Sequence, residues 1–244
     1  MLHKGQLGFL VLVMASFALS QEWWEEKPYT AWTGDETNNV LDKSPWGRVY
    51  MQLFPGPKDV QSVLGQPSGA QVIVQLHQRV LFHLCFVTAR PVRMAVARRK
   101  MLADPGEANP AAAEKYIEQG DDNNIVLLMS LSADPSGSNP FVDVSDAMEK
   151  LKLADLADNT YLSTDRGKKV APVKYDPYGE DGFGVKIYFP RILAGGPLVS
   201  ADDKEIRFES VVALPAKSAV RSVRIHATWN LKKMVFGGKL EISE

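Results

Sequence analysis

The sequence feature that most constrains the fold is the run Arg79–Met101, in which an apolar stretch turns into a basic, helix-forming one. In residues 80–87, both alternating sets of side chains are apolar apart from His83, which is typical of a strand covered on both faces. Pro91 then stands where a helix tolerates proline, in its first turn. We therefore expect a central strand followed by a helix to about Leu102, with the rest of the chain packed around them.

Residues 1–20 have the pattern of a secretory signal peptide. A lysine precedes the 13-residue apolar run Leu7–Leu19, and the small residues Ala18 and Ser20 lie just before Gln21. A membrane-spanning helix needs about 20 apolar residues, so this run is short for an anchor. We expect cleavage near Ser20–Gln21 and a secreted or periplasmic protein, with a retained anchor as the alternative.

Composition narrows the class of protein. With 28 basic and 29 acidic residues, the chain lacks the excess of positive charge that nucleic-acid binding needs. Cys85 is the single cysteine, so no internal disulfide can form and core packing must supply the stability. We expect no nucleic-acid partner, no cofactor, and no transmembrane segment after signal cleavage.

Residues 21–70 are predicted as an N-terminal arm with short helices and a loop. The aromatic pair Trp23 and Trp24 has two interpretations, packing onto the body of the protein or clamping a ligand. Thr33 and Glu36 have the spacing of a capping box, which predicts a short helix. The residues expected to be buried around that helix are Trp32, Val40 and Leu41.

After this helix the sequence predicts one more helix and then a loop. Ser44–Pro45 has the form of a helix start, a hydroxyl cap followed by proline, and predicts a helix from Trp46 to Leu53. From Phe54 to Gly69, glycine and proline occur without clear periodicity, which predicts a loop.

Residues 71–244 are predicted as a single α+β domain with a β-rich C-terminal half. From Thr160 onward, apolar and polar residues alternate, notably in residues 183–189, 205–212 and 222–231, as in antiparallel strands with one buried face and one face in water. Gly237–Gly238 predicts a tight hairpin turn. The expected fold class is α+β, a largely antiparallel sheet or sandwich of about seven to eight strands with a few short helices. The elements expected before residue 160 are strands at 71–76, 80–88 and 124–132 and helices at 91–102, 111–119 and 144–156.

The sequence contains no recognised catalytic or metal-binding motif, such as GxSxG, HExxH or a phosphate-binding glycine loop. His83 is predicted to be a hydrogen-bonded core residue, and His226 to be solvated. Cys85, between Leu84 and Phe86, is predicted to be buried and inert. No catalytic residue and no metal ligand is predicted.

The candidate binding residues are Arg90, Arg93 and Arg99 of the central helix, together with Trp23 and Trp24. Arginines bind carboxylates and phosphates, but these spread around the helix, which favours surface charge with one structural ion pair. Arg99 falls within the apolar stripe of the helix. Either the helix ends early, or the Arg99 side chain snorkels out, or it meets a buried carboxylate.

Three short patches occur together in this chain, namely Ser44–Trp46, Ala89–Arg93 and Lys232–Glu241. They resemble a group of uncharacterised exported bacterial proteins of similar length. Members of that group often carry a tryptophan and an acid just before the second patch, whereas Leu84–Thr88 here contains neither. This departure argues against a catalytic acid at that position. The resemblance implies export and brings no activity with it.

The favoured hypothesis is therefore an exported soluble protein that acts as a non-enzymatic binding or envelope-associated module, with an unknown protein or envelope partner. One alternative is a secreted, carboxylate-based hydrolase that could act on glycans, which needs two carboxyl groups about 5 to 9.5 Å apart in a cleft. Another is a scaffold subunit of an envelope complex, which predicts an exposed apolar patch.

Overall fold

A computed structural model describes residues 22–62, 71–107, 109–133, 139–178, 183–200, 202–216, 218 and 220–242. The predicted leader and its cleavage site lie outside these residues. Within the described part of the chain, no helix has both the length and the apolar character needed to cross a membrane.

The protein belongs to the α+β class, and its strands form antiparallel sheets, as predicted. The helices are α1 Trp23–Glu26, α2 Gly34–Lys43, α3 Arg90–Ala103, α4 Pro110–Glu118, α5 Asn139–Lys150 and α6 Leu153–Leu156. The strands are β1 Gly47–Ser62, β2 Gln71–Phe86, β3 Asn124–Ala133, β4 Thr160–Thr164, β5 Lys169–Val170, β6 Lys174–Asp176, β7 Val185–Pro190, β8 Ile192–Leu193, β9 Gly196–Pro197, β10 Glu205–Ala213, β11 Ser222–Asn230, β12 Val235–Phe236 and β13 Lys239–Leu240.

Two sheets enclose the main hydrophobic core. The first sheet has the strand order β1-β2-β3-β7-β6 and the second the order β11-β10-β4-β5. Aromatic rings join them: Phe86 lies 4.7 Å from Trp229, and Phe189 lies 6.3 Å from Phe208. Strand β2 is hydrogen-bonded on both sides, to β1 and to β3, which confirms its predicted central position.

Side chains alternate across the first sheet because successive residues of a strand point to opposite faces. Phe82, Leu84 and Phe86 are fully buried and define the core face of this sheet, which meets the second sheet. His83 and Cys85 define its helix-side face, which lies under α2 and α3. The two faces differ in polarity, and the candidate site lies on the more polar, helix-side face.

Several local predictions are confirmed. Helix α2 begins with a reciprocal capping box, in which Thr33 Oγ1 accepts from the Glu36 backbone N–H and the Glu36 carboxylate accepts from the Thr33 N–H. The predicted hairpin turn is present, with positive φ at both Gly237 and Gly238. The predicted inward sets of β10 and β11 are buried. Buried as expected near α2 are Trp32, Val40 and Leu41.

The predicted helix from Trp46 to Leu53 and the loop after it are wrong. Residues 47–62 form β1, which pairs with β2 over its length with a register shift between Pro55 and Lys58. Ser44 ends α2 rather than starting a helix, and its hydroxyl donates to the Val40 carbonyl. Proline is compatible with β1 because this is an edge strand with an irregularity at the prolines. The part of the predicted loop at residues 63–70 lies outside the described chain.

Two further boundaries differ from expectation. The helix predicted at 144–156 begins at Asn139 and ends at Lys150, and the separate short helix α6 follows. The described residues contain thirteen strands rather than about seven to eight, because most of the short strands of two to five residues, other than the hairpin around Gly237–Gly238, were not predicted. Strands of that length carry too few residues for a periodic pattern.

Candidate functional site

The five residues predicted as binding candidates lie in different places. Trp24 is buried and Trp23 is half-buried, with ring centroids 5.5 Å apart in an edge-to-face contact. Arg90 is exposed and forms an ion pair with Glu118 at 2.8 Å. The structure therefore does not bring the tryptophans and arginines together as one site.

Arg93 and Arg99, on the same helix, have different surroundings. Arg93 is buried, and its guanidinium donates to the backbone carbonyls of Ile117 and Thr88, which fastens α3 to the end of α4. Helix α3 continues past Arg99 to Ala103, so the helix does not end early. The Arg99 guanidinium carbon lies 4.6 Å from the centroid of the Phe183 ring. Arg99 is the candidate that lines a cavity.

A chain of hydrogen bonds joins Asp42, His83 and Ser132 on the helix-side face. Asp42, in the last turn of α2, lies with Oδ1 2.8 Å from His83 Nδ1. His83 Nε2 lies 2.8 Å from Ser132 Oγ. Ser132 is on β3, diagonally across from His83, since β2 and β3 pair His83 with Ser130 and Leu81 with Ser132. Helix α2 and strands β2 and β3 therefore bring one carboxylate, one imidazole and one hydroxyl together in a single hydrogen-bonded series.

The direction of these bonds follows from the chemistry of the groups. An ionised carboxylate can only accept hydrogen bonds, so the proton of the neutral His83 ring is assigned to Nδ1, which donates to Asp42. His83 Nε2 then carries a lone pair and accepts from the Ser132 hydroxyl. This is the arrangement in which a histidine can withdraw a proton from a serine.

These three residues line a cavity of about 270 Å³, here called the polar cavity, between α2, α3 and the helix-side face. The side chains of His83 and Asp42 are 24% and 23% exposed, so solvent reaches both. Arg99 and Asn38 line the same cavity and add a positive charge and an amide. Cys85 also lines this cavity, and burial raises the pKa of its thiol to about 12. Arg99 lowers this pKa by a smaller amount, and Asp42 raises it slightly. Cys85 is therefore a neutral thiol in this cavity.

A second cavity, of about 320 Å³, lies between α3 and α4 and is here called the apolar cavity. Its walls include Val96, Ala97 and Met101 of α3 and Ala112 and Ala113 of α4. Lys100 and Asp104 are its charged lining residues among the described ones. Its size and its mostly hydrophobic walls match those of small-molecule sites.

The two cavities adjoin at one contact. Arg99 lines the polar cavity, Phe183 lines the apolar cavity, and the two side chains stack on each other. Phe183 precedes Gly184, whose backbone runs against β3 so closely that an added Cβ would lie 2.4 Å from the Met129 carbonyl oxygen. This close approach places the backbone next to Phe183 directly against β3.

Two other kinds of site receive no support from the described residues. They contain no group of three or more histidine, cysteine or carboxylate side chains placed to hold a metal ion. Each of the two cavities has one carboxylate among its described lining residues, Asp42 or Asp104. Two-carboxylate glycosidase chemistry therefore has no candidate pair in either of them.

Fold and site together define an α+β protein of antiparallel sheets with an Asp–His–Ser hydrogen-bond chain beside an apolar cavity. Comparison with protein-family models, with curated proteins and with solved structures finds no match to this chain. The resemblance to exported bacterial proteins accordingly stays a prediction.

The sequence pattern predicts His83 as a hydrogen-bonded core residue and does not indicate Asp42 or Ser132 as its partners. The hydrogen bonds of His83 were expected, but its place in a cavity wall was not. A usable signal was present: His83 is the polar exception in the apolar run 80–87, and Ser130 and Ser132 are the polar exceptions in the apolar run 125–133. If such strands are neighbours in a sheet, their polar side chains on one face lie together. Asp42 gives no such signal, because no sequence pattern near it shows that α2 packs on the helix-side face of the first sheet.

Proposed function

We propose that the protein is exported and binds a small amphipathic organic molecule on the helix-side face. The signal-peptide pattern of residues 1–20 supports export. The observation that carries the binding proposal is the apolar cavity of about 320 Å³, which adjoins the polar cavity through Arg99 and Phe183. An apolar body fits the first cavity, and a carbonyl or anionic head group fits the cationic and hydrogen-bonding side chains around Arg99.

The test uses 1-anilinonaphthalene-8-sulfonate, a fluorescent probe with an apolar body and an anionic head. We expect saturable binding of one probe per chain, measured by fluorescence titration. Ala112→Trp places a large side chain in the apolar cavity and should weaken probe binding at least tenfold. Ala111→Trp is the matched control, since Ala111 is also exposed on α4 but does not line the cavity. Equal probe affinity in the two variants would contradict the proposal.

A second candidate function, a subunit of an envelope complex, is supported by a different surface. Val49, Met51 and Leu53 on the edge strand β1 are 42%, 49% and 44% exposed and, being alternate residues, share one face. An exposed apolar stripe on a sheet edge is a common protein-binding surface. A photo-crosslinking residue at position 51 should capture a specific envelope protein, and the same residue at the exposed position 192 should not. Indistinguishable crosslinking patterns from the two positions would remove this candidate.

A further inference from the structure

We propose that the polar cavity is a hydrolytic site in which Ser132 is the nucleophile, His83 its general base, and Asp42 the residue that positions and stabilises His83. The proposed substrates are small carboxylic esters with an apolar group. This inference deepens the proposed function and rests on it for the place of the substrate. It is carried by the two 2.8 Å contacts of His83, with Asp42 and with Ser132, inside a solvent-accessible cavity.

The first half of the reaction acylates the serine. Ser132 Oγ attacks the carbonyl carbon of the ester while its proton passes to His83 Nε2. The bond from that carbon to the alcohol oxygen then breaks, and His83 Nε2 gives its proton to the leaving alkoxide. The products of this half are an alcohol and an acyl group bound to Ser132 Oγ.

The second half consumes one water molecule. Water loses a proton to His83 Nε2 and attacks the acyl carbon, and the acyl–oxygen bond to Ser132 breaks. The proton on His83 returns to Ser132 Oγ, which restores the starting state and releases a carboxylic acid. The net change is ester plus water to acid plus alcohol, with no oxidant or other reagent.

Charges in the cavity favour this reaction. Asp42 faces the protonated imidazole that forms when Ser132 attacks, so the carboxylate stabilises that cation. Negative charge develops on the ester carbonyl oxygen, and Arg99, Asn38 and Ser130 line the same cavity with groups that can donate hydrogen bonds to it. During acylation, the positive charge on His83 thus faces a carboxylate, and the negative charge on the ester oxygen has hydrogen-bond donors in the same cavity.

The apolar cavity defines the substrate class. The Arg99 and Phe183 side chains contact each other and form the boundary between the two cavities. In the proposed complex, the acyl chain of an ester bound at Ser132 lies across this boundary, between α3 and α4. Burial of that chain supplies binding energy remote from the reacting bond. We therefore expect esters with longer acyl chains to be better substrates than acetate esters.

The test labels the purified chain with a fluorophosphonate probe. An activated serine displaces fluoride from phosphorus, forms an Oγ–P bond, and gains the mass of the phosphonyl group. We expect one adduct per chain, located on Ser132 by fragmentation mass spectrometry. Ser132→Ala should abolish the adduct, while Ser163→Ala, a half-buried serine within β4, should label like the unmodified chain.

Three variants test the roles of the partners. His83→Gln should slow labelling about 10²–10⁴-fold, the usual size of general-base assistance. Asp42→Asn should slow it as well, and Asp42→Glu should recover part of the lost rate, because glutamate restores a carboxylate beside the protonated ring. The charged groups that face His83 are Asp42 from α2 and, across the cavity, Arg99 from α3. A loss of structure alone would affect Asp42→Glu at least as much as Asp42→Asn.

The outcomes separate this inference from the binding proposal. An adduct on another residue, equal labelling of Ser132→Ala, or no labelling and no turnover of p-nitrophenyl esters would overturn the hydrolytic site. Probe binding in the apolar cavity would still stand in those cases. If Ser132 is labelled but Ala112→Trp leaves the ratio of octanoate to acetate turnover unchanged, the hydrolytic chemistry stands and the substrate assignment fails.

Discussion

The two faces of the first sheet are built from the same strands but differ in how tightly they are packed. On the core face, Phe82, Leu84 and Phe86 are completely buried against the second sheet. On the helix-side face, the intervening His83 is a quarter exposed and lies in the wall of a cavity. One strand therefore supplies both the interior of the fold and the candidate chemistry.

The difference shows where polar side chains are tolerated. A polar group buried without a partner costs free energy, so a polar residue on the core face would be strongly destabilising. On the helix-side face, Asp42, His83 and Ser132 satisfy one another and also contact solvent. We infer that stability depends mainly on the core face and that ligand chemistry depends mainly on the helix-side face.

The largest expected effect is a loss of stability on the core face. Trp229 is fully buried and packs edge to face on Phe86 at 4.7 Å. Trp229→Ala should lower the free energy of unfolding by about 3–5 kcal/mol. Ser132→Ala removes one hydrogen bond from a solvent-accessible site and should cost about 0.5–1.5 kcal/mol. Urea unfolding monitored by circular dichroism compares them, and similar midpoints for the two variants would contradict the division between the faces.

The second prediction concerns Gly184, the residue that follows Phe183 in the chain. Gly184 has φ of +130°, and an added Cβ would lie 2.4 Å from the Met129 carbonyl oxygen. Backbone strain alone makes Gly184→Ala unfavourable by about 1–3 kcal/mol, and the clash adds to this. Gly167→Ala is the control, because Gly167 also has positive φ but has no atom within 4 Å of the added Cβ. Thermal unfolding should show a clearly larger loss for Gly184→Ala than for Gly167→Ala.

The third prediction compares two carboxylates, one buried and one in the polar cavity. The Asp203 side chain is fully buried, and its Oδ2 accepts from the Ser200 N–H, the Ser200 hydroxyl and Lys168. Burial alone would raise the pKa of Asp203, but these hydrogen bonds outweigh it and hold the pKa below its ordinary value. Asp203→Asn should cost about 1–3 kcal/mol at neutral pH, and Asp42→Asn should cost less.

The pH dependence of stability provides a second measurement on Asp203. Because its pKa is lower in the folded than in the unfolded chain, its contribution is complete above the unfolded value of about 3.9. That contribution is lost as the pH falls through the lower, folded value. Between neutral and acidic pH, the Asp203→Asn variant should therefore lose less stability than the unmodified chain. Parallel stability–pH curves for the two proteins would contradict this assignment.

Local patterns in the sequence predicted most of the fold that lies on the core face. Alternation identified the buried sets of β7, β10 and β11, and the apolar run at residues 80–87 identified the C-terminal half of β2. The capping box at Thr33 and the Gly237–Gly238 turn are similarly local signals. These predictions succeeded because each depends on residues close together in the chain.

The helix-side site and β1 were not predictable in this way. His83 is separated by 41 residues from Asp42 and by 49 from Ser132, so their contacts depend on strand register and on where α2 crosses the sheet. Strand β1 was missed because its prolines indicate a loop, although an edge strand with a register shift accommodates them. Both the helix-side site and strand β1 therefore depend on contacts between distant parts of the chain, which local sequence preferences do not show.

The smallest predicted effect concerns α2, the helix that carries Asp42. It tests whether the start of this helix can be weakened without changing the chemistry at Ser132. Thr33 caps the N-terminus of α2, whereas Asp42 lies in its last turn. Thr33→Ala removes the hydroxyl acceptor of the Glu36 N–H and should lower stability by about 0.5–2 kcal/mol. Because Thr33 lies about two and a half helical turns before Asp42, the fluorophosphonate labelling rate of Ser132 should stay within about twofold of the unmodified rate. Thr30→Ala, at an exposed position before the helix, is the control for stability. A large fall in labelling with Thr33→Ala would show that the helix-side face depends on the whole of α2, and that its chemistry is not separable from the stability of the fold.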